Sequence, residues 1–186
     1  MIELCQGMIL YHGSFCRVEN PDLRKCAAHK DFGRGFYLTT SLEQAKSFAR
    51  LTTRKAMANG LVNRECRLGY VNRYVYSGGN IRVHMFETAD TDWLHCVVGH
   101  RKQGMFPDAV LALQDCDIVA GKIANDATNA TITAYMASTF GEAGSEQADR
   151  ICISLLIPER LVDQYCFRTE NALAALRFDG FEEVPL

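Results

Sequence analysis

The sequence predicts an α+β domain with a mainly antiparallel sheet, and three observations support that prediction. Apolar segments typical of strands are mixed with amphipathic segments typical of helices, without the regular strand–helix alternation of a parallel sheet. The chain has 186 residues, of which 48% are hydrophobic and 23% charged, as expected for one globular domain. No repeat, low-complexity tract or Pro/Ser-rich linker interrupts it, so we expect a single domain over residues 1–186.

The N-terminal half predicts strands around one long helix. GMILYHGS predicts an apolar strand ending at Gly13, and FYLTT predicts a second strand after a loop over residues 14–35. Ser41 and Gln44 have the S-x-x-Q spacing of a capping box, which predicts a helix from Ser41 to about Ala58. RLGYVNRYVYS and NIRVHMF predict two further strands, and the Ser-Gly-Gly-Asn between them has the composition of a hairpin turn.

The C-terminal half predicts a mixture of helices and strands. TDWLHCVVGHRK predicts a helix that begins near Asp90 or Thr91. CDIVAGKIAND predicts a strand and turn, where Asn125 or Asp126 caps the helix ATNATITAYMAS. SEQADRICISLL predicts a helix that ends before Pro158, because proline cannot continue a helix. DQYCFRT, ENALAALRF and GFEEV then predict a strand, a short helix and a final strand.

Charge and cysteine usage favour a cytoplasmic protein. The formal net charge of -2 implies no general attraction to nucleic acid or acidic membranes. Basic residues on and after the long helix could still form a local basic patch. The eight cysteines form no C-x-x-C pair, and we interpret most of them as buried thiols in a reducing compartment. The N-terminal residues have no signal-peptide pattern, and no apolar stretch approaches the roughly 18 residues of a membrane span.

The segment DFGRGFYLTTSLEQAKSFA, residues 31–49, is the most distinctive. A Walker loop or a dinucleotide fingerprint has its glycines between a strand and a helix. Here Gly33 and Gly35 precede the predicted strand, which argues against both kinds of phosphate site. An aromatic pair, a Thr-Thr-Ser edge and the upstream Tyr-His-Gly-Ser therefore need another explanation.

These segments resemble the motifs of diphtheria-toxin-like and poly(ADP-ribose)-polymerase-like ADP-ribosyltransferases. LYHGS is similar to their first motif and FGRGFYLTTSLEQAKSFA to their second. DWLHCVVGHR, DIVAGKIAND and DQYCFRTENALAAL extend the resemblance to a bacterial family of unknown function within that superfamily, from about residue 8 to residue 178. The resemblance implies an ADP-ribosyltransferase-like fold, in which two small mainly antiparallel sheets with flanking helices form an NAD cleft.

The resemblance also implies residue roles. The Gly13 backbone would hold the nicotinamide carboxamide, and His12 would hydrogen-bond ribose hydroxyls through both ring nitrogens. Tyr37 would stack on the nicotinamide ring, and Phe48 falls where relatives often have a second stacking aromatic. The other predicted NAD contacts are Ser14, Arg34 and Asp126. A solvated loop charge stays open for Arg34, and a helix cap for Asp126.

The third catalytic position departs from the common pattern. Many relatives place a glutamate on a late strand, where its charge stabilises the oxocarbenium-like transition state. The matching residue here is Gln164, so the predicted catalytic set is His12, Tyr37 and Gln164. Strand alternation places Asp163 on the opposite face from Gln164. The carboxylates that remain open as alternatives are Asp163, Glu170 and Asp126.

The implied activity is NAD-dependent mono-ADP-ribosyl transfer to a macromolecular acceptor, protein or nucleic acid. NAD is then a substrate, and the toxins and defence enzymes among bacterial relatives leave room for an antitoxin partner. A catalytically weak NAD-binding module, motivated by Gln164, and an NAD glycohydrolase are the alternatives. We expect no metal, because His95, Cys96 and His100 do not share one helical face. Trp93 is predicted to be a core residue, and Arg101 either ends its helix in solvent or contacts an NAD phosphate.

Overall fold

The computed structural model describes residues 2–124 and 126–186, with residues 126 and 127 described by their backbone only. Within these ranges the chain is α+β, as predicted. Its strands are β1 (Ile9–Ser14), β2 (Phe36–Leu38), β3 (Leu68–Tyr76), β4 (Val83–Met85), β5 (Ile118–Lys122), β6 (Asp163–Phe167) and β7 (Leu176–Pro185). Its α-helices are α1 (Leu42–Ala58), α2 (Thr91–Arg101), α3 (Pro107–Leu111), α4 (Asp126–Met136), α5 (Glu146–Leu156) and α6 (Glu170–Ala174).

The strands form two small sheets. The first has the order β1-β3-β7 and is antiparallel. The second has the order β2-β6-β5-β4 and is antiparallel except between β4 and β5. The prediction of two small, mainly antiparallel sheets with flanking helices is therefore confirmed.

The two sheets meet where β1 passes the end of β2. The Tyr11 amide donates to the Thr39 carbonyl at 2.8 Å, and the Thr39 amide returns a bond of 3.0 Å to the Tyr11 carbonyl. One apolar core lies between the sheets and includes Leu10, Phe36 and Tyr165. A second core packs the opposite face of the second sheet against α2, α4 and α5. The bridge places His12 and Gly13 beside β2.

Helix α1 lies directly on the first sheet. Its N-cap is Ser41, whose hydroxyl accepts from the Gln44 amide at 3.2 Å, as the capping-box spacing predicted. A Cβ on Gly13 would lie 2.1 Å from the Ala45 carbonyl oxygen and 2.6 Å from the Ala49 amide nitrogen. Such distances are far inside van der Waals contact, so this approach of helix to strand requires glycine.

Helix α2 is also placed as predicted. Asp90 caps it by accepting from the Trp93 amide at 3.0 Å. Trp93 is fully buried, and its indole N–H donates to the Lys122 carbonyl at 3.1 Å, which confirms the core prediction. The indole therefore ties α2 to the end of β5.

The predicted hairpin between the third and fourth strands is wrong. β3 belongs to the first sheet, whereas β4 runs parallel to β5 in the second. The Ser77 amide and hydroxyl both donate to the Ala175 carbonyl, at 2.8 and 2.9 Å, and so hold the end of β3 against α6. Gly78 and Gly79, with φ of 74° and 141°, then turn the chain away toward the other sheet.

The eight cysteines divide into three groups by exposure. Cys96, Cys152 and Cys166 are buried, Cys26, Cys66 and Cys116 are partly buried, and Cys5 and Cys16 are exposed, so the prediction that most of them are buried is wrong. Burial raises the pKa of each buried thiol to about 12, so these three stay protonated near neutral pH. Among the described residues, none of the helices combines the length and apolar character needed to cross a membrane.

Candidate functional site

His12 is held by the main chain of β2. Its Nδ1 lies 2.8 Å from the Tyr37 carbonyl oxygen, and because a carbonyl can only accept, Nδ1 carries the proton. Burial lowers the pKa of His12 below 6.5, although the same hydrogen bond opposes the shift. The ring is therefore neutral at pH 7, and Nε2 carries a lone pair. Because Nδ1 is bonded to the Tyr37 carbonyl, Nε2 is the ring nitrogen left for a ribose hydroxyl.

The His12 ring also rests on Phe36. The two ring centroids are 4.3 Å apart with an interplanar angle of 35°. Phe36 and Tyr37 are consecutive in β2 and point to opposite faces of the sheet. The imidazole thus stands on the Phe36 side of β2, while Tyr37 projects from the other side. His12 and Tyr37 meet through the backbone of β2 rather than side chain to side chain.

Tyr37 fastens the loop that precedes β2. Its hydroxyl accepts from the Phe32 amide at 2.9 Å and donates to the Gly33 carbonyl at 2.8 Å. Burial, with a smaller contribution from Cys166, raises the pKa of Tyr37 well above 10. The hydroxyl stays protonated and occupied, so Tyr37 can offer a ligand its ring face but no acid–base chemistry.

Gln164 projects from the same face of the second sheet as Tyr37. In the register of the sheet, Tyr37 pairs with Cys166, and Gln164 lies two residues along the same strand. Its Nε2 donates to Asp31 Oδ2 at 2.7 Å and to the Lys122 carbonyl at 3.2 Å. Both partners only accept, so they fix which end of the amide is nitrogen. Oε1 is then the atom with acceptor capacity, on a side chain only 7% exposed.

Asp31 is the site residue that the sequence analysis missed. Its Oδ1 accepts from Arg101 Nε at 3.0 Å and Nη2 at 2.6 Å, and its Oδ2 accepts from the Ala124 amide at 3.1 Å as well as from Gln164. The residue is only 8% exposed. It is the first residue of the DFGRGFYL segment.

The two predicted arginine positions have internal partners. Besides Asp31, Arg101 donates to the Ala124 carbonyl at 2.9 Å and to Asn129 Oδ1 at 3.1 Å. The prediction of a solvent-exposed helix end is therefore wrong, because the guanidinium forms a largely buried ion pair. Arg34 is exposed and donates to the Cys26 carbonyl at 2.9 Å, which ties it to the preceding loop.

The remaining predicted contacts of the first two motifs line α1 and β1. Phe48 is partly buried beside Gly13, since a Cβ there would lie 2.9 Å from the Phe48 Cβ. Ser14 is buried, and its hydroxyl accepts from the Cys16 amide at 3.4 Å. Helix packing alone thus accounts for a glycine at position 13, whether or not a ligand binds its backbone.

Two of the three alternative carboxylates, Asp163 and Glu170, are among the described side chains. Asp163 points to the opposite face of β6, as predicted, and pairs with Lys122 Nζ at 2.7 Å. Glu170 is exposed at the start of α6. The predictions for Asn125 and for the Asp126 side chain, as helix cap or NAD contact, lie outside the described residues.

An open groove of about 660 Å³ lies elsewhere, at α2 and α5. None of the predicted site residues lines it. Within it, His95 Nε2 donates to Asp149 Oδ2 at 2.9 Å, and the Tyr135 hydroxyl donates to the other oxygen of Asp149.

His100 Nδ1 donates to the Cys96 carbonyl at 2.9 Å. Among the described residues, no three His, Cys, Asp or Glu side chains converge on a position suited to a metal ion.

A model of a known protein family matches most of the chain. A family model described as protein of unknown function (DUF3990) matches residues 8–178. The chain belongs to the DUF3990 family. The matched DUF3990 region contains the whole network from His12 to Gln164, including Asp31 and Arg101. No curated protein and no solved structure matches the chain.

Proposed function

We propose that this chain is an NAD-dependent mono-ADP-ribosyltransferase that modifies a macromolecular acceptor, protein or nucleic acid. The observation that carries the proposal is the hydrogen bond from His12 to the Tyr37 backbone at the junction of the sheets. It links the first two motifs of the resemblance, and the pairing of β2 with β6 places the third motif, at Gln164, on the neighbouring strand.

The reaction breaks the bond between the ribose C1′ and nicotinamide, and the bonding electrons leave with nicotinamide. An acceptor nucleophile forms the new bond to C1′ and releases a proton. Positive charge develops on the ribose in between, so hydrogen-bond acceptors directed at its hydroxyls stabilise the transition state. The two acceptors that the geometry leaves for that purpose lie on opposite faces of β2, His12 Nε2 on the Phe36 side and Gln164 Oε1 on the Tyr37 side. Because β2 is the edge strand of its sheet, NAD would have to lie across that edge to meet both. The Tyr37 ring would stack on nicotinamide.

A second candidate function is an NAD-binding module with weak catalysis. Gln164 is neutral, and the charge of its neighbour Asp31 is balanced by Arg101. The described part of this network therefore offers no uncompensated anion to the ribose, and an uncompensated anion is the stronger form of transition-state stabilisation. An NAD glycohydrolase differs only in using water as the acceptor.

Incubation with NAD, with chromatographic analysis of nicotinamide and ADP-ribose, separates the three functions. Nicotinamide release with label transferred to a macromolecule supports the transferase, and release with free ADP-ribose supports the glycohydrolase. Saturable NAD binding in calorimetry without release supports the binding module. If NAD neither binds nor turns over, all three are wrong.

Substitution of His12 tests the site within the same assay. His12→Ala should lower the rate of nicotinamide release by about 10²-fold, the typical cost of removing one oriented transition-state contact. His29→Ala is the matched control, because His29 is exposed in the loop before Asp31. Equal rates for both variants would show that His12 does not contact the reacting ribose.

A further inference from the structure

Resting on the proposed NAD chemistry, we propose that Asp31 is a positioning residue that fixes the Gln164 amide and so determines which end of it meets the ribose. The carboxylate lies 2.7 Å from Gln164 Nε2, and the two residues are 133 positions apart in the chain. Asp31 acts through Gln164 and not on the ribose itself, because its own two oxygens are already occupied by protein donors.

The orientation follows from counting hydrogens. The Gln164 amide has two N–H groups, and these are directed at Asp31 Oδ2 and at the Lys122 carbonyl. Rotation of the amide by half a turn would bring Oε1 against the same two oxygens, with no hydrogen between any of them. Such a contact between buried acceptors is strongly unfavourable. Oε1 therefore faces away from Asp31, and a ribose hydroxyl there meets an acceptor.

Asp31 is itself held in place from several sides. Two nitrogens of Arg101 bind Oδ1, and the Ala124 amide binds Oδ2 beside Gln164. Arg101 is anchored in turn by the Ala124 carbonyl at 2.9 Å. The Asp31 carboxylate cannot turn away from Gln164 without breaking its ion pair with Arg101. The orientation of the Gln164 amide is therefore set before any ligand binds.

This arrangement has an unexpected consequence for the residue that many relatives carry. Gln164→Glu would place a second carboxylate against Asp31 Oδ2 and the Lys122 carbonyl, where no donor is present to separate the three acceptors. The substitution should therefore lower activity instead of raising it. Asp31→Asn alone should also lower activity, because an amide nitrogen at the Oδ2 position would face two donors, Gln164 Nε2 and the Ala124 amide, and would no longer hold the Gln164 amide in place. Combined, the two substitutions restore a donor facing an acceptor between positions 31 and 164, while the Lys122 carbonyl stays without the donor that Gln164 gave it.

The test compares the wild-type chain with Asp31→Asn, Gln164→Glu and the double variant, using kcat and KM for nicotinamide release. Each single substitution should lower kcat by about tenfold or more with little change in KM, and the double variant should recover about tenfold over either single. Asp115→Asn, Gln114→Glu and their combination are matched controls at exposed positions, and they should leave kcat unchanged.

A pH profile of Gln164→Glu gives a second readout that does not require Asp31→Asn to fold. The protonated carboxyl can donate to Asp31 and present its carbonyl outward as glutamine does, so kcat of this variant should rise toward acid pH relative to the wild type. Among the residues whose side chains are described, the other ionisable groups near position 164 include Tyr37, Cys166 and Arg101 on its own face, His100 beside Asp31, and Lys122 with Asp163 across the strand. All of them are present in both proteins, so the comparison isolates the new carboxyl.

The outcomes separate the positioning role from the proposed function. A Gln164→Glu variant more active than the wild type, or an Asp31→Asn variant with full kcat, overturns the role of Asp31 while the transferase stands. Recovery of melting temperature in the double variant without recovery of kcat also overturns it, because the pair would then be structural only. A wild-type chain that releases no nicotinamide overturns the proposed function itself.

Discussion

His12 donates Nδ1–H to the carbonyl of Tyr37 at 2.8 Å, beside the single backbone bridge described between β1 and β2. The bond makes the tautomer of a side chain in one sheet depend on the main chain of the other. It also removes one of the two imidazole nitrogens from any role with a ligand. The chemistry available to His12 is therefore that of one acceptor, Nε2.

The pH dependence of activity should follow this acceptor. Burial lowers the pKa of His12 below 6.5, so Nε2 is unprotonated at neutral pH and gains a proton only in acid. The rate of nicotinamide release should be level above pH 6.5 and fall only as the pH drops through the lowered pKa of His12. A pH profile of kcat/KM measures this, and a rate that rises as His12 protonates would contradict the assignment of Nε2 as an acceptor.

Stability should change in the same direction as activity. The unfolded chain takes up the His12 proton near pH 6.5, whereas the folded chain takes it up at lower pH. Between these two values the unfolded state binds more protons, so the contribution to stability is complete above 6.5 and is lost as pH falls through the folded pKa. Urea unfolding of wild type and His12→Gln at several pH values should show the excess acid sensitivity in the wild type only.

Removing the Tyr37 hydroxyl should destabilise the chain while keeping the ring. Tyr37→Phe leaves the Phe32 amide without its acceptor and the Gly33 carbonyl without its donor. The expected loss in the free energy of unfolding is about 1–3 kcal/mol. Tyr70→Phe, on the first sheet, is the comparison variant. Calorimetry should show NAD binding retained in Tyr37→Phe and lost in Tyr37→Ala, because stacking needs the ring.

Gly13→Ala should be among the most damaging small substitutions. The new methyl would lie 2.1 Å from the Ala45 carbonyl oxygen, and backbone cannot move aside as a flexible side chain can. We expect α1 to be displaced, at a cost of about 3 kcal/mol or more in the free energy of unfolding. Gly7→Ala is informative beside it, because that position has open space and only the strain of φ 86°, so its cost should be smaller.

His95 should matter for stability and not for NAD. His95→Ala removes the 2.9 Å bond to buried Asp149 and leaves that carboxylate with the Tyr135 hydroxyl. Loss of one donor to a buried charge should cost about 1–3 kcal/mol in urea unfolding. The rate of nicotinamide release should stay at the wild-type value, since His95 lines a separate groove. A lost rate in a folded His95→Ala variant would connect the two regions.

Local sequence patterns predicted the elements that local chemistry specifies. Ser41 and Asp90 cap their helices through side-chain bonds to amides three residues later, and such spacing is visible in the sequence. The Ser-Gly-Gly-Asn segment also separates two strands, as predicted. The segment does not form a hairpin, because Ser77 is bonded to Ala175, about a hundred residues further along the chain. A pattern read from neighbouring residues cannot reveal such a distant contact.

The same limit explains why the candidate site was only partly predictable. His12, Tyr37 and Gln164 each belong to a recognisable motif, whereas the role of Asp31 depends on Arg101 and Gln164, which are 70 and 133 positions away. Burial of a carboxylate within a loop is stable only when such distant donors converge on it. The residues next to Asp31 in the sequence give no indication that Arg101 and Gln164 lie close to it.

The hydrogens of His12 Nδ1 and Gln164 Nε2 are bonded to acceptors of the protein. His12 Nε2 and Gln164 Oε1 can therefore only accept hydrogen bonds from the ribose. A sugar position that supplies a hydrogen can satisfy Nε2 or Oε1, but one that offers only lone pairs meets a second acceptor. Fluorine has the size of a hydroxyl without its proton. NAD analogues with fluorine in place of a nicotinamide-ribose hydroxyl should therefore bind more weakly than NAD, although their shape is nearly the same.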